Sequence, residues 1–131
     1  MGSTIPKQFM LLQGRPLLYY TMHTFLQAYD DLQLILVLPV DYTDMGQEII
    51  DAYFEKDRIR ITAGGETRFQ SVKNGLKLVD KESIVFVHDA VRCLVDQNLI
   101  RRCHDAAVET GTAIPVIPTR RIAQTVRALD L

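Results

Sequence analysis

Ile84-Val85-Phe86-Val87-His88-Asp89-Ala90-Val91-Arg92 is the stretch that decides the architecture of this chain. Its first four residues are β-branched or aromatic without a polar break, which predicts a strand buried on both faces, as in parallel sheets. The run stops at His88-Asp89, and the region just past the carboxyl end of a strand is where open α/β sheets bind ligands. An aspartate there suits a divalent cation, Mg²⁺, shared with triphosphate oxygens. Arg92, three residues on, has the reach and the charge for a phosphate. The competing reading makes Asp89 a cap for the turn that follows.

Working outward, the same alternation of strand and helix recurs. Arg58 to Ala63 predicts a strand, broken by Gly64-Gly65 and followed by a helix from about Thr67 to Val79 with Val72, Leu76 and Val79 inward. The glycines of Gly64-Gly65-Glu66-Thr67-Arg68 permit a tight turn and close ligand approach, and a helix start offers free N–H donors to an anion or a base edge. The same residues read equally well as a plain strand-to-helix turn. Further upstream, Leu32 to Leu38 is an apolar strand ending at Pro39, and Asp44 to Phe54 is helical. Pro16 to Ala28 is also helical, with Leu17, Leu18, Thr21, Phe25 and Ala28 on one stripe. Downstream, Asp96 is placed to cap a helix that reaches Thr110 and stops at Gly111, and Ala113 to Ile117 closes the series as a strand. The order predicts an α/β fold, a Rossmann-like, mostly parallel sheet flanked by helices, in a single domain over residues 1–131.

Pro6-Lys7-Gln8-Phe9 supplies a third chemical feature. Pro6 restricts the backbone and Gln8-Phe9 anchors it, so the Lys7 ammonium is in a position to neutralise charge developing on phosphoryl oxygens. Taken alone, the segment reads more readily as a solvated surface lysine. A net charge of −1 argues against broad nucleic-acid binding, and no apolar run approaches the length needed to cross a bilayer. Cys93 and Cys103 lack metal-ligand spacing and read as reduced thiols of a cytoplasmic protein, and His23, His88 and His104 form no metal pattern.

As a set, these motifs resemble the 2-C-methyl-D-erythritol 4-phosphate cytidylyltransferase family of the non-mevalonate isoprenoid pathway. The matching text is Pro6 to Phe9, Gly14-Arg15-Pro16-Leu17-Leu18, Gly64 to Arg68 with Ser71 to Leu76, and Val87 to Arg92. The resemblance implies a fold of the nucleotide-diphospho-sugar transferase type. It also implies transfer of a cytidylyl group from CTP to a polyol phosphate, with Mg²⁺ and release of pyrophosphate, by direct attack of the substrate phosphate on the α-phosphorus. No candidate nucleophile–base pair is present, which agrees with a reaction lacking a covalent enzyme intermediate. On the same resemblance Lys7 contacts the CTP phosphates and stabilises the transition state. Gly65, Glu66 and Ser71 lie around cytosine and ribose, Asp89 is the metal-side acid, and Ala90 and Arg92 are its nucleotide-binding neighbours. A homodimer is implied as well.

The departures from the pattern set further expectations. Met1-Gly2 looks like the tail of a glycine-rich loop, so a first strand and that loop, with a second transition-state arginine, are expected to be missing. The Asp-Thr expected soon after Pro118, the later substrate-positioning Arg and Lys, and the dimerisation arm are also missing, and Thr119 to Thr125 shows neither turn signal nor period. Cys93 stands where the family often has Pro, and Val91 where Ala is common. Two alternatives remain beside the methylerythritol reading: cytidylyl transfer to ribitol 5-phosphate, and a non-catalytic nucleotide-binding or assembly domain.

Overall fold

A computed structural model describes residues 5–117. The expectations concerning Met1-Gly2 and Thr119 to Thr125 lie outside the described residues. The chain opens with a 3-10 turn at Lys7–Phe9 and a hairpin of β1 (Leu11–Leu12) and β2 (Arg15–Pro16). Gln13 and Gly14 carry φ of 51° and 80°, the paired left-handed conformation that suits a two-residue hairpin turn. Helix α1 (Leu17–Ala28) starts directly from β2, with its first N–H donated to the Met10 carbonyl at 2.9 Å. Pro16 therefore belongs to the hairpin and precedes the helix that the sequence had it open.

β3 (Leu34–Leu38) and β4 (Ile59–Ala63) pair in parallel, Leu34 opposite Ile59 and Leu38 opposite Ala63, with α2 (Thr43–Tyr53) as the crossover. Parallel neighbours need such a connection because a tight turn cannot reverse the chain twice. Side chains alternate between the faces of β3, and this alternation sorts the helices. Leu36 and Leu38 join Leu18, Met22, Leu26, Ile49 and Ile50 in the main core, so α1 and α2 cover that face. A methyl added at Gly75 of α3 (Arg68–Leu76) would meet Val37 at 3.0 Å and Ile35 at 3.9 Å, which puts α3 on the opposite face. The result is a three-layer α/β/α arrangement.

α4 (Gln97–Thr110) begins and ends as its residues predict. Asp96 accepts the Leu99 N–H at 2.7 Å, and Gly111 adopts φ 88° with its N–H on the Ala107 carbonyl. A second cluster of Phe25, Ala28 and Ile100 ties α4 to α1, with Phe86 and Val95 against it.

Three expectations are corrected. Ile84 to Val87 and Ala113 to Ile117 run without strand pairing; among the described residues the sheets are β1–β2 and β3–β4. An apolar run specifies a demand for burial, but a strand exists only with a neighbour to bond. Val87 is 54% and Ile114 82% exposed. With Phe25, Leu94 and Ile100 they line an open groove of about 1020 Å³. In α3 the inward residue is Gly75, while Leu76 is exposed and the helix ends there, three residues before Val79. No described helix is long and apolar enough to cross a membrane.

Candidate active site

Asp89 lies in a turn closed by the Arg92 N–H on the Asp89 carbonyl at 3.0 Å. Its carboxylate accepts from Arg68 Nη2 at 3.2 Å through Oδ1 and from Arg92 Nε at 3.1 Å through Oδ2. Arg68 is the first residue of α3 and stands 21 positions from Asp89, so this pair joins the glycine turn to the acid that follows the Ile84 to Val87 run. Two guanidinium groups against one carboxylate leave an excess of positive charge, which suits an anionic ligand. All three side chains are well exposed, so each ion pair is worth at most about 1 kcal/mol and can be exchanged for a phosphate.

The Asp89 turn is fastened from behind by α1. Thr21 Oγ1 donates to the Ala90 carbonyl at 2.8 Å. The Phe25 ring lies 5.1 Å from the His88 ring, and His88 Nε2 is 2.9 Å from the Arg92 carbonyl. Ala90 packs against the same core cluster that contains Phe9.

The glycine turn forms a self-bonded unit. Gly65 N–H donates to Ser71 Oγ at 3.1 Å, and Glu66 and Thr67 N–H donate to Gln70 Oε1 at 2.9 and 3.3 Å. Thr67 Oγ1 accepts the Gln70 N–H at 3.1 Å, completing a reciprocal cap at the start of α3. The expected helix-start donors are in part taken up: the polar side chains of the first helical turn curl back and occupy the N–H groups of Gly65, Glu66, Thr67 and Gln70. Gly64 N–H bonds the Leu38 carbonyl, tying the turn to the end of β3. Gly65 and Glu66 are exposed and Ser71 is half-buried.

Lys7 is exposed on its 3-10 turn, and the backbone beneath it is well fixed. Phe9 is buried and stacks on Tyr42 at 5.6 Å between ring centres, and Met10 N–H closes on the Lys7 carbonyl. Two contacts on α1 then relate the lysine segment to the acid. Met10 bonds Leu17, and Ala90 bonds Thr21, four residues along, a rise of about 6 Å at 1.5 Å per residue.

Direct contacts thus unite Arg68, Asp89 and Arg92, a second network unites Gly65, Glu66 and Ser71, and Lys7 is related to them through α1. Among the described residues no group of three or more His, Cys, Asp or Glu side chains is clustered for a metal. A single carboxylate still fits a cation that takes most of its ligands from phosphates and water, as Mg²⁺ does. Sequence reasoning gave Arg68 no role and saw Thr21 only as part of an apolar stripe. Its signal was there: a hydroxyl on a buried face requires a partner.

Comparison with known proteins gives the family. The sequence model of the family described as 2-C-methyl-D-erythritol 4-phosphate cytidylyltransferase matches residues 1–130. A protein of that name from Bacteroides fragilis is 43% identical over 129 residues, 98% of this chain and 58% of its own length. One from Phocaeicola vulgatus is 42% identical with the same shares. The crystal structure of 4-diphosphocytidyl-2C-methyl-D-erythritol synthase from Anaerococcus prevotii superposes with a TM-score of 0.68 at 30% identity, covering 80% of this chain and 46% of that one. The chain therefore spans little more than half the length of the curated relatives it matches. A match over residues 1–130, and a shared fold at 30% identity, lead to one conclusion: this chain belongs to the 2-C-methyl-D-erythritol 4-phosphate cytidylyltransferase family.

Proposed function

We propose that the protein transfers a cytidylyl group from CTP to 2-C-methyl-D-erythritol 4-phosphate, giving 4-diphosphocytidyl-2-C-methyl-D-erythritol and pyrophosphate. The observation that carries this reading is the family match over residues 1–130. The joined Arg68–Asp89–Arg92 group supports it with chemistry suited to a triphosphate.

In this reading the substrate phosphate attacks the α-phosphorus in line and pyrophosphate leaves, so the protein's task is to place the reactants and to stabilise charge. Lys7 neutralises the developing charge on the phosphoryl oxygens. Arg92 and Arg68 exchange Asp89 for phosphate oxygens, and the freed Asp89 carboxylate would be the residue to hold Mg²⁺, which would draw charge from the triphosphate. Gly65 and Glu66 present their turn to the cytosine with no side chain between backbone and base at Gly65. Ser71 Oγ, already bonded to Gly65, sits on the ribose side.

A homodimer in the cytoplasm completes the reading, and sedimentation of the full-length protein tests the assembly. The decisive experiment gives the full-length protein CTP and Mg²⁺ with each of two acceptors. Turnover of 2-C-methyl-D-erythritol 4-phosphate is expected. Turnover of ribitol 5-phosphate alone would replace the substrate, and CTP binding without turnover of either would leave a nucleotide-binding domain. Asp89→Asn is expected to abolish Mg²⁺-dependent activity while the fold is kept; an unfolded variant would make Asp89 a structural cap.

A further inference from the structure

We propose that Thr21 is a positioning residue whose buried hydroxyl fixes the Ala90 carbonyl and, through it, aims the Asp89 carboxylate at the nucleotide. The inference rests on the cytidylyltransferase reading for its consequence and on the fold alone for its geometry.

Thr21 is the buried polar side chain of the described residues, 6% exposed on the apolar stripe of α1. Packing alone asks for an apolar group at such a position. A helical threonine usually satisfies its hydroxyl locally, on the carbonyl one turn earlier. Thr24 on the same helix does this, donating to the Tyr20 carbonyl at 3.0 Å. Thr21 donates instead to Ala90, 69 positions away, at 2.8 Å.

The bond has a specific geometric effect. Holding the Ala90 carbonyl against α1 sets the peptide plane that follows Asp89 and Ala90. The Asp89 carboxylate is left on the outer side, where it meets Arg68 and Arg92. Phe25 lies one helical turn beyond Thr21 and holds His88 from the same face. The helix therefore grips both sides of Asp89, and only the Thr21 contact orients a backbone group.

Two conservative substitutions separate this role from packing. Thr21→Val keeps the volume and removes the hydroxyl; Thr21→Ser keeps the hydroxyl and removes a methyl. In hydrogen–deuterium exchange of the free protein, Thr21→Val is expected to speed exchange of the Arg92 amide on the order of tenfold, the loss of one buried hydrogen bond. Thr21→Ser should restore it, and core amides of α1 and α4 that exchange through global unfolding should speed by no more than the same factor. Unchanged exchange at Arg92 in Thr21→Val, or failure of Thr21→Ser to restore it, overturns the proposal. In the full-length protein, calorimetry with CTP and Mg²⁺ should show Thr21→Val weakening binding on the order of tenfold, with no further loss when added to Asp89→Asn. Equal loss in both backgrounds would show that Thr21 does not act through Asp89. If Asp89→Asn alone binds as well as the parent, the assignment of Asp89 falls, while the exchange result still decides whether Thr21 holds the turn.

Discussion

Gly65→Ala probes whether the glycine turn is held by the first turn of α3. A methyl group at Gly65 would overlap Cβ of Gln70 and approach its Oε1 to 3.0 Å. Gln70 Cβ is fixed to the helix backbone, so rotating its side chain gives no relief. The turn itself must move on the order of 1 Å, because carbon atoms rest about 3.5–4.0 Å apart. A shift of that size carries the bonds from Gly65 and Glu66, now 3.1 and 2.9 Å, beyond hydrogen-bonding range. These groups face water, so each loss is taken at the low end of about 0.5–1.5 kcal/mol. With the strained helix cap added, the expected total is about 1–2 kcal/mol. The assay is urea denaturation followed by circular dichroism, with Gln70→Gly and the double variant alongside. Gln70→Gly removes the atom that Gly65→Ala meets, so the double variant should be no less stable than Gln70→Gly alone. Additive costs, or a Gly65→Ala variant as stable as the parent, would refute the reasoning.

Lys7→Ala in the full-length enzyme should lower turnover by on the order of a hundredfold, by analogy with the loss of one preorganised donor to a charged transition state. A smaller effect on CTP affinity is expected, and equal weakening of binding with unchanged turnover would make Lys7 a nucleotide anchor only. Arg58→Ala should destabilise the fold by about 2 kcal/mol in denaturation, since its guanidinium bonds the Leu26, Tyr29 and Asp30 carbonyls at the end of α1. Asp51 accepts from Lys56 at 2.8 Å and also from Gln47, which holds its pKa below the ordinary 3.8. Its contribution is therefore present above 3.8 and is lost as pH falls through the lower folded value. A carbon-detected titration should place the Asp51 midpoint below 3.8 and return it toward that value in Lys56→Met.

The helices and the β3–β4 pair were legible because each carries a local signature: a stripe at helical spacing, a bounded apolar run, Asp96 before α4 and Gly111 after it. The hairpin was not, because Gln13 is a residue that seldom takes positive φ and each strand has only two residues. Ile84 to Val87 misled for a different reason. Apolarity is a property of the segment, whereas strand pairing belongs to two segments, and sequence order does not show whether the second is present. At the site, residue types marked Asp89, Arg92 and the glycine turn. The link from Arg68 to Asp89 and the link from Thr21 to Ala90 span 21 and 69 positions, beyond any local pattern.

The far end of α1 gives its near end a meaning. Arg58 holds the Leu26 carbonyl and Arg101 holds that of Ala28, from two different directions along the chain. With Met10 seated on Leu17 at the other end, the helix is clamped lengthwise and cannot slide or screw. It behaves as a fixed gauge bar between its two clamps, and its twelve residues set the separation. One extra residue between Met22 and Phe25 would swing everything beyond it by about 100°. The lineage of this chain should therefore vary freely in the composition of α1's outer face and hardly at all in its length.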